Sequence, residues 1–395
     1  MSSSDRHQNG KITRRDFLKV SAVAGGAAFL AACGPQGGGG AALPDLTSGN
    51  AIPIEDLAAA AKTEGALNLI AIPHDWANYG EAIDTFKAKY GLTVNENNPD
   101  AGSADEIEAI RANKGNKGPE VPDTVDVGIG YGPSAKQEGL CAKYFLSTWD
   151  SIPLKDPDGY WFAEYYGILT FEINKDIVKT PPADWEDLLK PEYKGKVAMA
   201  GDVLKSNESV MTVMAAGIAR AGGIDNTVES ATAAAQKGLE FWKEVNDAGN
   251  FVPVIADIGK IAAGETPITM EWDYLSLANR DSLAGNPDIG IVIPPSGNIA
   301  GPYAGFVSAF APHPYAGRLW YEFLMSDEGQ LIWLKGYAYP IRYQDMAKRG
   351  VIPADLAAKL PPAEEVAKAT FLTIDQQSAV KTYITENWRK VVYGE

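Results

Sequence analysis

The stretch Glu271-Trp272-Asp273-Tyr274 concentrates groups that suit the binding of a small cation. Asp273 offers a charge-assisted hydrogen bond to an ammonium group, and the neighbouring aromatic faces add a cation–π attraction of about 0.5 to 2 kcal/mol. Glu271 and Tyr274 extend the same candidate site. The structural alternative is that Trp272 ends a core strand and Asp273 caps the helix that follows.

A second polar stretch, from Gly201 to Ser209, lies at the predicted start of a helix. Free N–H groups there, with Lys205 and two serines, suit an anion such as a phosphonate. The acids of the stretch, including Glu208, instead suit a second amine, and an ordinary helix cap explains Ser209. The candidate ligand contacts here are Asp202, Ser206 and Asn207.

Further candidates follow predicted strands, at the carboxyl ends where α/β sheets bind their ligands. For His74 and Asp75, which follow the first predicted strand, a structural alternative exists: Asp75 caps the next helix and His74 is a polar surface residue. Three tyrosines at positions 165, 166 and 303 are expected to add aromatic walls to the site. These candidates are His74, Asp75, Trp76, Tyr131, Tyr165, Tyr166 and Tyr303.

Catalytic and metal-binding patterns are scarce in this sequence. It has three histidines, of which His7 lies in the leader, too few for a histidine-rich metal site. It has no Gly-x-Ser-x-Gly elbow and no zinc-type histidine pair. We therefore predict no enzyme, no catalytic residue, no metal and no cofactor. An exported hydrolase that uses His74 and Asp75 is the alternative from a different class.

The N-terminus carries an address rather than part of the fold. Thr13-Arg14-Arg15 precedes an apolar run, Val20 to Ala32, that is too short to span a bilayer. This order is typical of a twin-arginine signal peptide over residues 1–32. Leu30-Ala31-Ala32-Cys33 resembles the bacterial lipobox. That resemblance implies a lipid on Cys33, which anchors the protein to the outer face of the cytoplasmic membrane, in an extracellular or periplasmic position.

Composition limits the partners. Residues 33–50 are rich in Gly and Pro, which predicts a flexible tether after the lipidated cysteine. The formal charge is −16, and the leader carries five basic and two acidic residues, so the mature chain is more acidic still. Such a field repels nucleic acid and favours cations. Cys141 has no partner left in the chain, so no disulfide is expected.

From residue 53 onward, short apolar segments alternate with amphipathic ones, which predicts an α/β protein with mostly parallel sheets. The first lobe begins with strands at 66–72, 93–96 and 124–130. A helix at 79–90 and another opened by a capping box at Ser103 separate them. A second lobe repeats the style over about 173–295. Further strands are predicted at 167–171, 196–200, 267–272, 289–293 and 305–310. The predicted helix at 376–392 needs a partner surface, so the chain after about residue 301 is expected to return to the first lobe.

Two sequence strings resemble extracellular solute-binding proteins of ABC importers. The first is Trp185-Glu-Asp-Leu followed by Pro191-Glu-Tyr-Lys-Gly195, downstream of the Tyr165 to Asn174 segment. The second is Ser326-Asp-Glu-Gly-Gln330 before Tyr339-Pro-Ile-Arg342. Their order resembles the type II cluster that includes spermidine/putrescine, ferric-ion, thiamine and aminoethylphosphonate binders.

The resemblance implies a type II periplasmic-binding-protein fold, in which two α/β lobes are joined by two crossing strands. It implies lobe 1 at 51–169 and 301–395, lobe 2 at 173–295, and hinge crossings at 166–174 and 293–303. The protein is then a monomeric substrate-binding lipoprotein that delivers a small molecule to the permease and ATPase of an ABC transporter.

The ligand implied by the resemblance depends on departures from the family pattern. Ferric-ion binders use a histidine near the place of His74 and two adjacent tyrosines, but here Asp273 stands where the first tyrosine is expected and only Tyr274 remains. Polyamine binders carry an Asp beside a Trp at that place, as Trp272-Asp273 does. We therefore expect a cationic or zwitterionic amine of the polyamine type, with ferric-ion or organophosphonate and phosphate-ester binding as alternatives.

Overall fold

A continuous strand of 13 residues, Phe162–Asn174, organises the fold of the computed structural model. The structure describes residues 43–361 and 366–395, so the leader and the lipobox cysteine lie outside the described residues. The strands are β1 Ala66–Ile70, β2 Thr93–Asn97, β3 Thr124–Gly128, β4 Phe162–Asn174, β5 Val197–Met199, β6 Phe251–Ile255, β7 Ile268–Trp272, β8 Ile289–Val292, β9 Ala300–Val307 and β10 Tyr339–Pro340. The helices are α1 Ile54–Glu64, α2 Tyr79–Tyr90, α3 Ser103–Ala112, α4 Gly132–Gln137, α5 Asn207–Ala221, α6 Val228–Asp247, α7 Ile258–Ala263, α8 Asp273–Leu283, α9 Pro314–Leu324, α10 Asp327–Lys335, α11 Tyr343–Lys348, α12 Ala354–Ala357 and α13 Ile374–Trp388.

Strand β4 belongs to two different sets of strand pairs. Its first half pairs with β9, from Phe162 to Ile168, and its second half pairs with β7 and β8. The larger sheet runs in the order β3-β9-β4-β7-β5-β6, while β1 and β2 form a separate parallel pair. One strand therefore connects the sheet region around β3 with the region around β5.

The sheets are mixed, which differs from the mostly parallel sheets that the sequence predicted. The pairs β5–β6 and β5–β7 are parallel, but β4 and β9 run antiparallel to every strand they pair with. The reason is that the chain crosses from one half to the other within these strands. A strand that passes straight through joins its new neighbours without the helical crossover that makes neighbours parallel.

Most predicted elements lie where the periodicity placed them. Helix α2 has the predicted bounds, and β1, β2, β3, β5 and β7 fall within one to two residues of theirs. The predicted strand at 305–310 is displaced, because β9 spans Ala300–Val307. The predicted cap at Ser103 is wrong: Gly102 precedes the helix, Asp105 accepts the Gly102 N–H at 3.3 Å, and the Ser103 hydroxyl accepts the Gly128 N–H at 3.0 Å.

The C-terminal helix α13 contacts both halves of the chain. Gln376 Nε2 donates to the Asp225 carbonyl at 2.7 Å, while Ser378 Oγ donates to the Gly130 carbonyl at 3.3 Å. Its packing includes α5 and α6. By backbone contacts, residues 43–395 form one unit, so the division into two lobes and two hinges stays a prediction. In the described part of the chain, no helix has the length and apolar character that crossing a membrane requires.

Candidate ligand-binding cleft

A cavity of about 600 Å³ lies where the loops after β1, β2, β5 and β6 converge. The N-termini of α3 and α5 face each other across it, and the two sides touch where the Ala104 N–H donates to the Lys205 carbonyl at 3.3 Å. Gly102 packs against the same lysine. The cavity is thus bounded by residues from both sides of the crossing strand β4.

The lining of this cavity is acidic. One cation reaches it, Lys205, whose Nζ is already paired with Asp105 Oδ1 at 3.0 Å. A cavity walled by one sign of charge concentrates ligands of the opposite sign. The carboxyl-bearing residues in the lining are Asp100, Asp105, Glu106, Asp126, Asp202, Glu208 and Asp257.

On the β3 side, the cavity acid Asp126 is 6% exposed. Its Oδ2 accepts hydrogen bonds from the hydroxyls of Tyr165 at 2.6 Å and Tyr79 at 3.1 Å, whereas no N–H or hydroxyl group of the described residues donates to Oδ1. Glu106 lies next to it and accepts the Asp126 N–H at 2.9 Å. Burial raises the pKa of Asp126 to about 6, although the tyrosine hydrogen bonds oppose that shift.

On the α5 side, Glu208 is 2% exposed and shares one backbone donor with Glu271. The Trp272 N–H lies 2.7 Å from Glu208 Oε1 and 3.1 Å from Glu271 Oε1. Burial raises the pKa of Glu208 to about 7 and that of Glu271 well above its ordinary value, with Glu208 adding to the shift of Glu271.

Aromatic rings form the wall between these two acids. The Trp76 ring lies edge-on to Tyr303 at 5.5 Å, and Tyr303 stacks on Tyr165 at 5.4 Å. Trp76 Nε1 donates to the Tyr165 hydroxyl at 2.6 Å, and Trp272 Nε1 donates to the Tyr303 hydroxyl at 3.2 Å. Their polar atoms are therefore occupied, and Trp76 and Tyr303 contribute ring surface to the cavity.

A family model described as bacterial extracellular solute-binding protein matches residues 120–377, and a twin-arginine signal model matches residues 11–31. The chain belongs to that solute-binding family. It is thus the substrate-binding protein of an ABC transporter, with a signal for export. No curated protein matches this solute-binding protein.

Solved structures similar to this solute-binding protein have the type II periplasmic-binding-protein fold. AfuA from Actinobacillus pleuropneumoniae, solved with fructose-6-phosphate, is 19% identical with a TM-score of 0.64, covering 83% of this chain and 99% of AfuA. Iron-bound HitA from Pseudomonas aeruginosa is 18% identical (TM-score 0.60, 82% and 99% covered). A putative spermidine/putrescine ABC transporter protein from Listeria monocytogenes is 14% identical (TM-score 0.60, 82% and 99% covered). At these identities the likeness establishes the fold, and the ligand remains open.

Five of the predicted contacts of this solute-binding protein line the cavity: Trp76, Asp202, Ser206, Asn207 and Tyr303. Ser206 also caps α5 by accepting the Ser209 N–H at 3.5 Å, so the cap is not the predicted Ser209, whose hydroxyl donates to the Gly201 carbonyl at 2.7 Å. Asp202 Oδ1 accepts the Leu204 N–H at 2.9 Å. Asn207 is buried, and its Nδ2 has no hydrogen-bond partner among the described residues.

Trp272, Asp273 and Tyr274 lie behind the cavity rather than in its lining. Trp272 is fully buried, as the core alternative predicted. Asp273 is 1% exposed, and its Oδ1 accepts the N–H groups of Ile168 at 2.9 Å and Tyr274 at 3.0 Å, so it fixes α8 to the crossing strand β4. Burial raises the pKa of Asp273 to about 7.

Four further candidates stay predictions without a place in the cavity lining. The His74 side chain is 57% exposed and bonds Glu96 at 2.6 Å, and Asp75 beside it is exposed. Tyr131 is buried under Lys381, whose Nζ lies 3.7 Å from the ring centre. Tyr166 stacks on Tyr339 at 4.9 Å. His74 and Tyr274, the nitrogen and oxygen ligands considered for iron, are therefore not brought together.

The sequence analysis did not single out two buried acids in or beside the cavity, Asp126 and Glu164. Asp126 and Glu164 each interrupt an apolar strand, and a charge inside such a strand was the available signal. Tyr165 was predicted to contact the ligand directly, but its hydroxyl is used to hold Asp126. Among the described residues, no group of three or more His, Cys, Asp or Glu has an arrangement able to hold a metal ion.

Proposed function

We propose that this substrate-binding protein captures a small organic cation, best fitted by a diamine of the polyamine type, and delivers it to the permease and ATPase of its ABC transporter. The observation that carries the proposal is the pairing of two buried acids, Asp126 and Glu208, on opposite sides of one acidic cavity. No N–H or hydroxyl group of the described residues donates to Asp126 Oδ1, so this oxygen can accept a donor from a ligand.

The proposed binding pose of the diamine follows from the acids and aromatic rings that line the cavity. One ammonium group binds Asp126 on the β3 side, and the second binds Glu208 on the α5 side. The methylene chain between them lies along Trp76 and Tyr303, whose rings supply apolar and cation–π contact. A ligand held at both ends bridges residues on either side of β4, which stabilises a closed arrangement of the two proposed lobes.

An anionic or zwitterionic ligand is the second candidate, because the N-terminus of α5 lines the cavity and Asn207 Nδ2 is a buried donor that no group of the described residues accepts from. A phosphonate or phosphate ester would bind there. Glu208 in the first turn of the same helix opposes that ligand, and it favours the amine.

The test is thermal unfolding of the full-length protein in mild detergent, after ligand has been removed by unfolding and refolding. Putrescine, spermidine, aminoethylphosphonate and ferric citrate are compared. A ligand at about 100 times its Kd adds roughly 2.7 kcal/mol, which moves the midpoint by several degrees. A shift with the amines alone supports the proposal, and a shift with the phosphonate or ferric citrate alone contradicts it.

We further propose that the protein acts as a monomer anchored by lipid on Cys33, after removal of residues 1–32. The acidic domain that follows the flexible tether then lies outside the cytoplasmic membrane. Mass spectrometry of the mature N-terminal peptide tests this assignment. A lipidated peptide that begins at Cys33 agrees with it, and a peptide that begins elsewhere without lipid refutes it.

A further inference from the structure

Asp126 and Glu208, the two acids proposed to bind the ligand, each have a second buried carboxyl group as a neighbour. Glu164 is fully buried, and its carboxyl lies against Gly305, the β9 residue that pairs with Asp126, so the carboxyls of Glu164 and Asp126 are neighbours. Neither Glu164 oxygen, nor Asp126 Oδ1, receives a hydrogen bond from any N–H or hydroxyl group of the described residues. Two neighbouring buried carboxyls without such a donor are stabilised when one of them carries a proton that it donates to the other, so we expect this pair to share one proton.

The second pair, Glu208 with Glu271, is fixed by one backbone donor. Because the Trp272 N–H lies within 3.1 Å of an oxygen from each, the two carboxyls are neighbours. Glu208 lines the cavity, whereas Glu271 does not. The two pairs therefore have the same plan, with one carboxyl facing the ligand space and the other behind it.

No basic side chain compensates either pair in the described part of the chain. The groups that influence Asp126 and Glu164 from the surrounding elements are acids and tyrosines: Tyr79 of α2, Glu106 of α3, Tyr165 of β4, Tyr303 of β9 and Tyr321 of α9. Those around Glu208 and Glu271 are also acids and tyrosines: Asp75, Glu172 of β4, Tyr274 of α8 and Tyr303 of β9. Two adjacent buried carboxylates without a cation cannot both be ionised.

We propose that each ammonium group of the ligand replaces the proton shared by one carboxyl pair, so that binding of a diamine releases protons into the solvent. This inference rests on the proposed function. In each pair the O–H bond of one carboxylic acid breaks, its proton leaves to water or buffer, and the two resulting carboxylates face one ammonium group. Charge balances because one proton leaves for each positive charge that enters. Glu164 and Glu271 are positioning residues, which act through Asp126 and Glu208.

The test is isothermal titration calorimetry of the full-length protein with putrescine at pH 7.5. Titrations in phosphate and in Tris are compared, because these buffers differ in their enthalpy of protonation. The dependence of the observed enthalpy on the buffer gives the number of protons released. We expect about two protons per putrescine, or about one per carboxyl pair.

Two variants assign the protons. Glu164→Gln leaves Asp126 ionised beside an amide, so the release falls by about one proton, and Glu271→Gln does the same at the other pair. Asp355→Asn, at an exposed position on α12, retains the full release. If one variant does not fold, the other still tests its own pair.

The wild-type protein offers an independent readout. Affinity for putrescine is expected to rise by up to about tenfold per pH unit for each proton released, between pH 5 and 7. Binding without proton release, and with affinity independent of pH, would overturn this inference while leaving the proposed function intact. Failure of every amine to bind would overturn the proposed function, and the proton inference with it.

Discussion

Replacing Asp126 by Asn tests the cation site with a change of one oxygen to an NH₂ group. The carboxylate is 6% exposed, and its Oδ2 is held by two tyrosine hydroxyls, while no N–H or hydroxyl group of the described residues donates to Oδ1. An ammonium group bound there makes a charge-assisted hydrogen bond, and losing such a bond costs about 1.5 to 3 kcal/mol. The Kd for putrescine should therefore rise by about 10- to 150-fold.

The fold should tolerate this substitution. The Asn oxygen still accepts from Tyr79 or Tyr165, and its amide can donate to Glu164, which relieves the crowding of two acids. Isothermal titration calorimetry measures the Kd, and thermal unfolding of the ligand-free variant checks that the midpoint is not lowered. Asp355→Asn, on the surface, is the charge-matched control. A folded Asp126→Asn protein with a Kd within twofold of wild type would refute the role given to this acid.

Two other predictions concern closure of the cleft and pH. A β-carbon at Gly128, at the end of β3, would lie 2.1 Å from the side chain of Asn207, at the start of α5. Gly128→Ala should therefore weaken ligand binding at least tenfold by blocking closure. Gly290→Ala, whose added methyl group meets only a flexible lysine, should bind as wild type, and equal losses measured by calorimetry would contradict this prediction. The raised pKa of Glu208, about 7, means that the folded state holds its proton where the unfolded state has lost it. The free energy of unfolding of the ligand-free protein should thus fall as pH rises from about 5 to 7, and this group contributes up to about 1.4 kcal/mol per pH unit to the fall. A series of denaturant titrations that shows stability rising over this pH range would contradict the prediction.

The order of elements was predictable because periodicity is local. Apolar spacing in α2 and the glycine after it define that helix from sequence alone, and the structure has the same bounds. The direction of β4 and the position of β9 were not predictable in this way. Both depend on partners far along the chain, because β9 pairs with β3 on one side and with β4 on the other.

The sequence predicted which loops form the candidate site better than it predicted which side chains line the cavity. The rule that ligands bind beyond strand ends brought out Trp76 and the start of α5, which line the cavity. It could not show that Asp273 turns inward to bond the Ile168 N–H, since that partner is 105 residues away. Nor could it show that Asp126 opens into the cavity, because a strand position alone does not reveal which face becomes a cleft.

The proposed bridging of Asp126 and Glu208 by a small organic cation is tested most directly by a crystal structure of the protein with its natural ligand retained. We expect an amine in the cavity, with one ammonium nitrogen about 2.7 to 3.2 Å from Asp126 Oδ1 and a second near the Glu208 carboxyl. A metal ion, or an anion bound to the N-terminus of α5 with Asp126 left without a ligand contact, would contradict it.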